Sequence, residues 1–200
     1  MTDKDRIIDY LKSWVGYTEK DTRDKIGASM DSPEPFKSNG KNNYTIFAKE
    51  YYRQTGIQVQ GEPWCDTYID SCFIKVFGKE KARQYLGGFS AYTPDSANFF
   101  KVRKQWSNTA KAGSLVFFKN SKRICHTGMV YGVDDKYIYS VEGNTSNDDK
   151  FNPNGGCVAL KRHLKNSDYI AGYGDIKYMS GTGWQAEGEN WKYYQNGSIC

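Results

Sequence analysis

The hydrophobic spacing of this chain changes at Gly113, and that change decides what it can fold into. Before Gly113, apolar residues recur every three or four positions: Ile7, Ile8, Leu11, Trp14 and Val15, then Tyr44, Phe47 and Tyr51, then Tyr68, Ile69, Cys72, Phe73 and Val76. Each set marks one buried face of a helix. After Gly113 the apolar residues form short β-branched or aromatic runs at 115–118, 129–133, 137–141, 158–160 and 169–170, divided by Gly, Asn and Asp. Helices first and an antiparallel sheet after them define an α+β domain, with the N-terminal helices packed on a C-terminal sheet.

Turn and cap residues place the boundaries. Residues 27–41 carry two prolines and Ser38-Asn39-Gly40 and read as a loop. Asn43 is the expected cap of the second helix, which stops at Gly56. Thr93-Pro94-Asp95 reads as a helix start, with Thr93 as cap and the helix running to about Trp106.

One helix start carries chemistry. Pro63 cannot lie inside a helix and Gly78 is a natural stop, so the helix between them begins close to Cys65. The unpaired N–H groups and positive end of a helix favour an anion, and therefore favour thiolate over thiol. Cys65 is the candidate nucleophile. Cys72, Cys125 and Cys157 read as packing residues, since small buried cysteines usually serve the core.

A cysteine nucleophile needs a base, and histidine is the usual one because it titrates near neutrality. The chain has two. His126 opens the strand His126-Thr127-Gly128-Met129-Val130, whereas His163 sits among Lys161, Arg162 and Lys165 and is set aside. The base needs an orienter, and Glu142 and Asn144 lie on the following strand. A three-residue loop at 133–135 would place Val130 opposite Ile138, Gly128 opposite Ser140 and His126 opposite Glu142. A two-residue loop at 134–135 would turn Glu142 to the other face of the sheet. A shared face therefore requires an odd loop or a β-bulge.

Taken in order, Pro63-Trp64-Cys65, Gly113-Ser114-Leu115-Val116-Phe117-Phe118, His126-Thr127-Gly128-Met129-Val130, Val141-Glu142-Gly143-Asn144 and Ile170-Ala171-Gly172-Tyr173-Gly174 resemble the CHAP family of cysteine- and histidine-dependent amidohydrolases and peptidases. The resemblance covers roughly residues 1–178. It implies a papain-like α+β fold in which Cys65 is the nucleophile, His126 the base, Glu142 the orienter and Asn144 a further polar member, with Trp64 a candidate substrate contact. It also implies peptidoglycan as substrate, cut between muramic acid and L-alanine or within the stem peptide and cross-bridge, as by phage endolysins and bacterial autolysins. Two other readings stay open: a wall-binding protein on an inactive scaffold, and an enzyme of the same chemistry acting on a non-wall amide.

Composition narrows the partners. Net charge is +5, from 28 basic and 23 acidic residues that are scattered rather than run together, so no nucleic-acid partner is expected. No apolar run approaches the roughly 20 residues that span a membrane. Residues 1–6 are charged and lack the apolar segment of a secretory signal, so the expectation is synthesis in the cytoplasm and action at the wall after release. Five cysteines without a signal argue against a disulfide framework. Neither zinc spacing nor an acidic cluster upstream of Cys65 is present, and no metal or cofactor is expected. A monomer is expected.

The remaining residues read as an appendage. Residues 179–183 look like a linker, and 184–200 resemble a single copy of the aromatic repeats in choline- or glucan-binding modules. Trp184, Trp191, Tyr193 and Tyr194 are its candidate wall-binding residues. Such repeats stack on one another, and about three are normally needed.

Overall fold

The computed structural model describes residues 1–27, 29–31, 40–148, 150–179, 183–187, 190–195 and 198–199. Five helices precede the main sheet: α1 (Asp3–Lys12), α2 (Ile46–Thr55), α3 (Cys65–Phe77), α4 (Lys79–Leu86) and α5 (Thr93–Val102). The strands are β1 (Trp106–Ser107), β2 (Leu115–Lys119), β3 (Ile124–Val133), β4 (Tyr137–Thr145), β5 (Cys157–Leu164) and β6 (Ile170–Gly174). They form one antiparallel sheet in the order β1-β6-β2-β3-β4-β5. The chain is α+β, with its helices ahead of its sheet.

Several boundaries differ from the sequence reading for local reasons. Thr45, not Asn43, caps α2 by accepting from the Ala48 N–H, while Asn43 takes a left-handed turn at φ 55°. Thr93 is the first residue of α5 rather than its cap, and the helix ends at Val102 so that Trp106 can join β1. The short α4 follows directly on Gly78, which both ends α3 and precedes α4. Of the 27–41 loop, residue 28 and residues 32–39 lie outside the described residues.

The sheet has two different faces because side chains alternate along each strand. Leu115, Phe117, Met129, Val141 and Val158 join the main core with the helices. Val116, Phe118, Val130, Ile138 and Tyr173 form a smaller cluster on the other face. Helix α3 is the hub, packing on α1, α2 and α4 as well as on β3 and β4. It lies so close to β4 that a Cβ on Gly143 would come within 2.7 Å of Tyr68, so only glycine fits there.

The start of α3 is anchored by Trp64. Its fully buried ring stacks on Phe47 at 5.6 Å and meets Tyr17 and Tyr68 edge-on, and its Nε1–H donates to Glu19 Oε2 at 3.1 Å. Tyr68 donates to the Leu11 carbonyl at 2.7 Å, tying the same helix to the end of α1. Expected as a substrate contact, Trp64 is instead a core residue with no surface to offer, because its indole fills the space between α2, α3 and the 17–19 segment.

After β6, the backbone of β7 (Gly183–Glu187), β8 (Asn190–Gln195) and β9 (Ser198–Ile199) forms a second, three-stranded antiparallel sheet. Trp191 and Tyr193 are exposed, at 67% and 38%. The side chains of Trp184 and Tyr194, and linker residues 180–182, lie outside what is described.

Trp64→Ala should lower the unfolding free energy by about 3–5 kcal/mol in urea titration, since it empties a large packed site. A loss under about 1 kcal/mol would contradict the anchoring role.

Candidate active site

Cys65 opens α3 next to a residue that cannot cap it: Trp64 offers no side-chain cap, so the first-turn N–H groups remain available to other acceptors. The thiol is 3% exposed, and its Sγ lies 3.9 Å from Thr93 Oγ1 at the start of α5. It lines a cleft of about 440 Å³ whose walls include Tyr51, Ile57, Val59, Phe89 and Tyr92. Arg123 and Glu62 add one charge of each sign, and the Arg123 guanidinium lies 5.2 Å from the centre of the Tyr92 ring. Cys125 lines the same cleft and is half-buried rather than part of the core.

His126 and Glu142 do share a face, by a route that neither loop length foresaw. The β3–β4 pairing begins with Val133 opposite Ile138 and Gly132 opposite Tyr139, a register that would separate them. A bulge at Tyr131 then shifts the pairing by one, giving Val130 opposite Ser140 and Met129 opposite Val141. Continued along the strands, this register puts Gly128, not His126, opposite Glu142. The Glu142 side chain crosses that glycine: a Cβ on Gly128 would lie 2.4 Å from Glu142 Cγ. The missing side chain is the space through which the carboxylate reaches the imidazole.

His126 Nε2 donates to Glu142 Oε2 at 2.9 Å, and both residues are fully buried. The other ring nitrogen, Nδ1, is buried without a hydrogen-bond partner, and the charge that raises the ring's proton affinity most is that of Cys65. Burial alone would push the imidazolium pKa down; Cys65 first, then Glu142, outweigh it and raise it from 6.5 to about 10. Glu142 moves the opposite way. Burial would raise its carboxyl, but hydrogen bonds from His126 and His163 hold it far below the usual carboxylate range.

His163 is the site residue that sequence reasoning missed. Its Nε2 donates to Glu142 Oε1 at 2.7 Å, and Ser140 Oγ donates to the same oxygen at 2.5 Å. The basic neighbours Arg162 and Lys165 obscured it, yet strand alternation was a usable signal: His163 shares its face of β5 with Ala159, which pairs with Glu142. Phe118 and Phe151 close over His126 with ring centres at 5.6 and 6.1 Å. Phe151 is brought there by a loop whose carbonyls at Ser146 and Lys150 accept from the buried Lys161 ammonium at 3.0 and 2.8 Å.

Asn144 is held by the loop that follows β4. It adopts φ 55°, donates to Asn154 Oδ1 at 3.1 Å and accepts the Gly156 N–H on Oδ1 at 3.2 Å. These bonds close the loop between β4 and β5 and engage both ends of the Asn144 amide there. Asp66, next after Cys65, is buried, and burial pushes its carboxyl up despite hydrogen bonds from Ser96 and Thr93.

Among the described residues, no group of three or more His, Cys, Asp or Glu side chains could hold a metal ion, and no helix is long and apolar enough to cross a membrane. The four described cysteines are free thiols.

No protein-family model matches the sequence, and no curated protein matches it. A solved structure described as "The crystal structure of Ly7917" is similar over 88% of this chain, with 12% sequence identity and a TM-score of 0.47. The chain spans 62% of that one.

The His126 ring should therefore stay protonated through neutral pH. Its folded value lies above its ordinary one, so the stability it contributes is complete below about pH 6.5 and lost as pH rises through about 10. Nitrogen-15 NMR of the ring should show a midpoint near 10 that falls towards the ordinary range in Cys65→Ala. A native midpoint near 6.5 would contradict the charge pairing.

Proposed function

We propose that this protein is a peptidoglycan hydrolase of the CHAP type, which cuts a wall amide by cysteine catalysis and acts as a phage or prophage endolysin. The observation that carries the reading is the line from Cys65, at a helix start on the wall of a cleft, through buried His126 to buried Glu142. The arrangement has the chemical parts that acyl transfer needs. A thiolate beside an imidazolium is a nucleophile and a proton donor already charged for attack. A carboxylate on the far nitrogen fixes the ring's orientation and stabilises its positive charge.

In the proposed reaction the Cys65 sulfur attacks the amide carbon, forming an S–C bond and an oxyanion that accepts from the Cys65 backbone N–H. His126 gives its proton to the departing nitrogen as the C–N bond breaks, leaving a thioester and a free amine. The now neutral ring takes a proton from water; the resulting hydroxide adds to the thioester carbon and expels the thiolate. A carboxylic acid leaves and the imidazolium–thiolate pair is restored.

The papain-like arrangement, the muramoyl-alanine or stem-peptide amide as the bond cut, and action at the wall after release belong to the same proposal. The exposed Trp191 and Tyr193 support wall contact by the tail, because aromatic faces stack on sugars.

Mass spectrometry of purified peptidoglycan treated with the whole chain should show new amino termini, and their identity names the bond. Cys65→Ala should reduce their release by at least about a thousandfold while leaving the circular dichroism spectrum unchanged. Release that persists in that variant would exclude Cys65 as nucleophile; wall binding without fragments from the native chain would favour an inactive scaffold.

A further inference from the structure

The reaction proposed above uses one face of the Glu142 carboxylate, and the structure occupies the other. His163 Nε2 donates to Glu142 Oε1 at 2.7 Å, Ser140 adds a second donor to that oxygen, and Oε2 is left for His126. The His163 ring is itself held. Its Nδ1 lies 3.3 Å from the Tyr169 hydroxyl, and its face packs on Phe118 with ring centres 4.8 Å apart. Glu142 is an acceptor-only carboxylate, so the Nε2 it meets carries the proton, while the Tyr169 hydroxyl, which can donate or accept, meets Nδ1. The hydroxyl thus holds the ring with Nε2 towards Glu142.

We propose that His163 is a positioning residue for the Cys65–His126 pair: by fixing Oε1 it holds the Glu142 carboxylate in the one orientation that presents Oε2 to His126. It touches no reacting atom and works through Glu142. The inference rests on the hydrolase reading for its catalytic meaning but not for its physical test.

The geometry makes the role specific. Glu142 crosses Gly128 to reach His126, its Cγ filling the volume that a side chain at Gly128 would take. What fixes the far end of the side chain is its set of donors. Those donors also stabilise the ionised carboxylate against burial, which alone would favour the neutral acid. The groups that act on His126 are Cys65 and Asp66 from α3 and Glu142 from β4. Lys161, opposite Ser140 on β5, sends its ammonium to backbone carbonyls of the 146–150 loop instead.

His163→Phe separates positioning from packing, because phenylalanine keeps the ring against Phe118 and Tyr169 and removes only the nitrogens. In the whole chain, the His126 midpoint read by nitrogen-15 NMR should fall by at least about one unit. Release of wall amino termini should fall about tenfold or more. His163→Gln, whose amide keeps a donor close to the Nε2 position, should restore most of both. A midpoint that is unchanged or raised in the folded His163→Phe chain would overturn the proposal, as would equal losses in the Phe and Gln variants. If His163→Phe does not fold, Tyr169→Phe replaces it, since it removes only the hydroxyl that holds the His163 ring at Nδ1. A smaller fall in the same direction is expected there, and an unchanged midpoint would overturn the proposal. The midpoint is measured without substrate, so a native chain that frees no wall fragments removes the hydrolase reading and leaves this test standing.

Discussion

Burying a carboxylate is costly unless every lone pair is met, and Glu142 is buried completely. The arrangement around it follows from that demand. Its two oxygens take donors from β3, from β4 itself and from β5, so three adjacent strands are tied at one anion. The bulge at Tyr131 and the absent side chain at Gly128 exist in the same strand as His126, and both are needed for Glu142 to reach it. Phe118, Phe151 and Tyr169 close the space around the two imidazoles, which strengthens the charge interactions inside.

The second constraint is where Cys65 sits. A helix start is a useful place for a thiolate only if the helix is held still, and here the anchoring residue is Trp64. An indole at this position fills the core and lacks an oxygen that could cap the first turn. Packing and chemistry are therefore served by one residue choice: α3 is fixed by its apolar contacts, while its N-terminal N–H groups are not satisfied by a capping side chain. Gly143 completes the placement by letting Tyr68 lie against β4.

Much of this was legible in the residues. Periodicity on either side of Gly113 separates helices from strands, and Pro63 and Gly78 bracket α3, because these signals are local. The need for an odd loop or a bulge could also be stated from parity alone. Which of the two occurs could not, since a bulge is decided by packing on both faces of the sheet. Long-range partners were the least accessible. His163 contacts a residue 21 positions away across the β4–β5 pairing, and its basic neighbours point to solvent in sequence while the ring itself points inward. Trp64 lies beside Cys65, and proximity in sequence suggested shared chemistry; in space it is core.

The central claim is that His126 and Glu142 make Cys65 reactive in a way that its thiol alone is not. Site-resolved alkylation with iodoacetamide at pH 7 measures this directly on the whole chain, with Cys72, Cys125 and Cys157 as internal references. Cys65 should be modified at least about tenfold faster than the half-buried Cys125, and His126→Ala should abolish that advantage. Modification of Cys65 no faster than Cys125, or a rate indifferent to His126→Ala, would contradict the account.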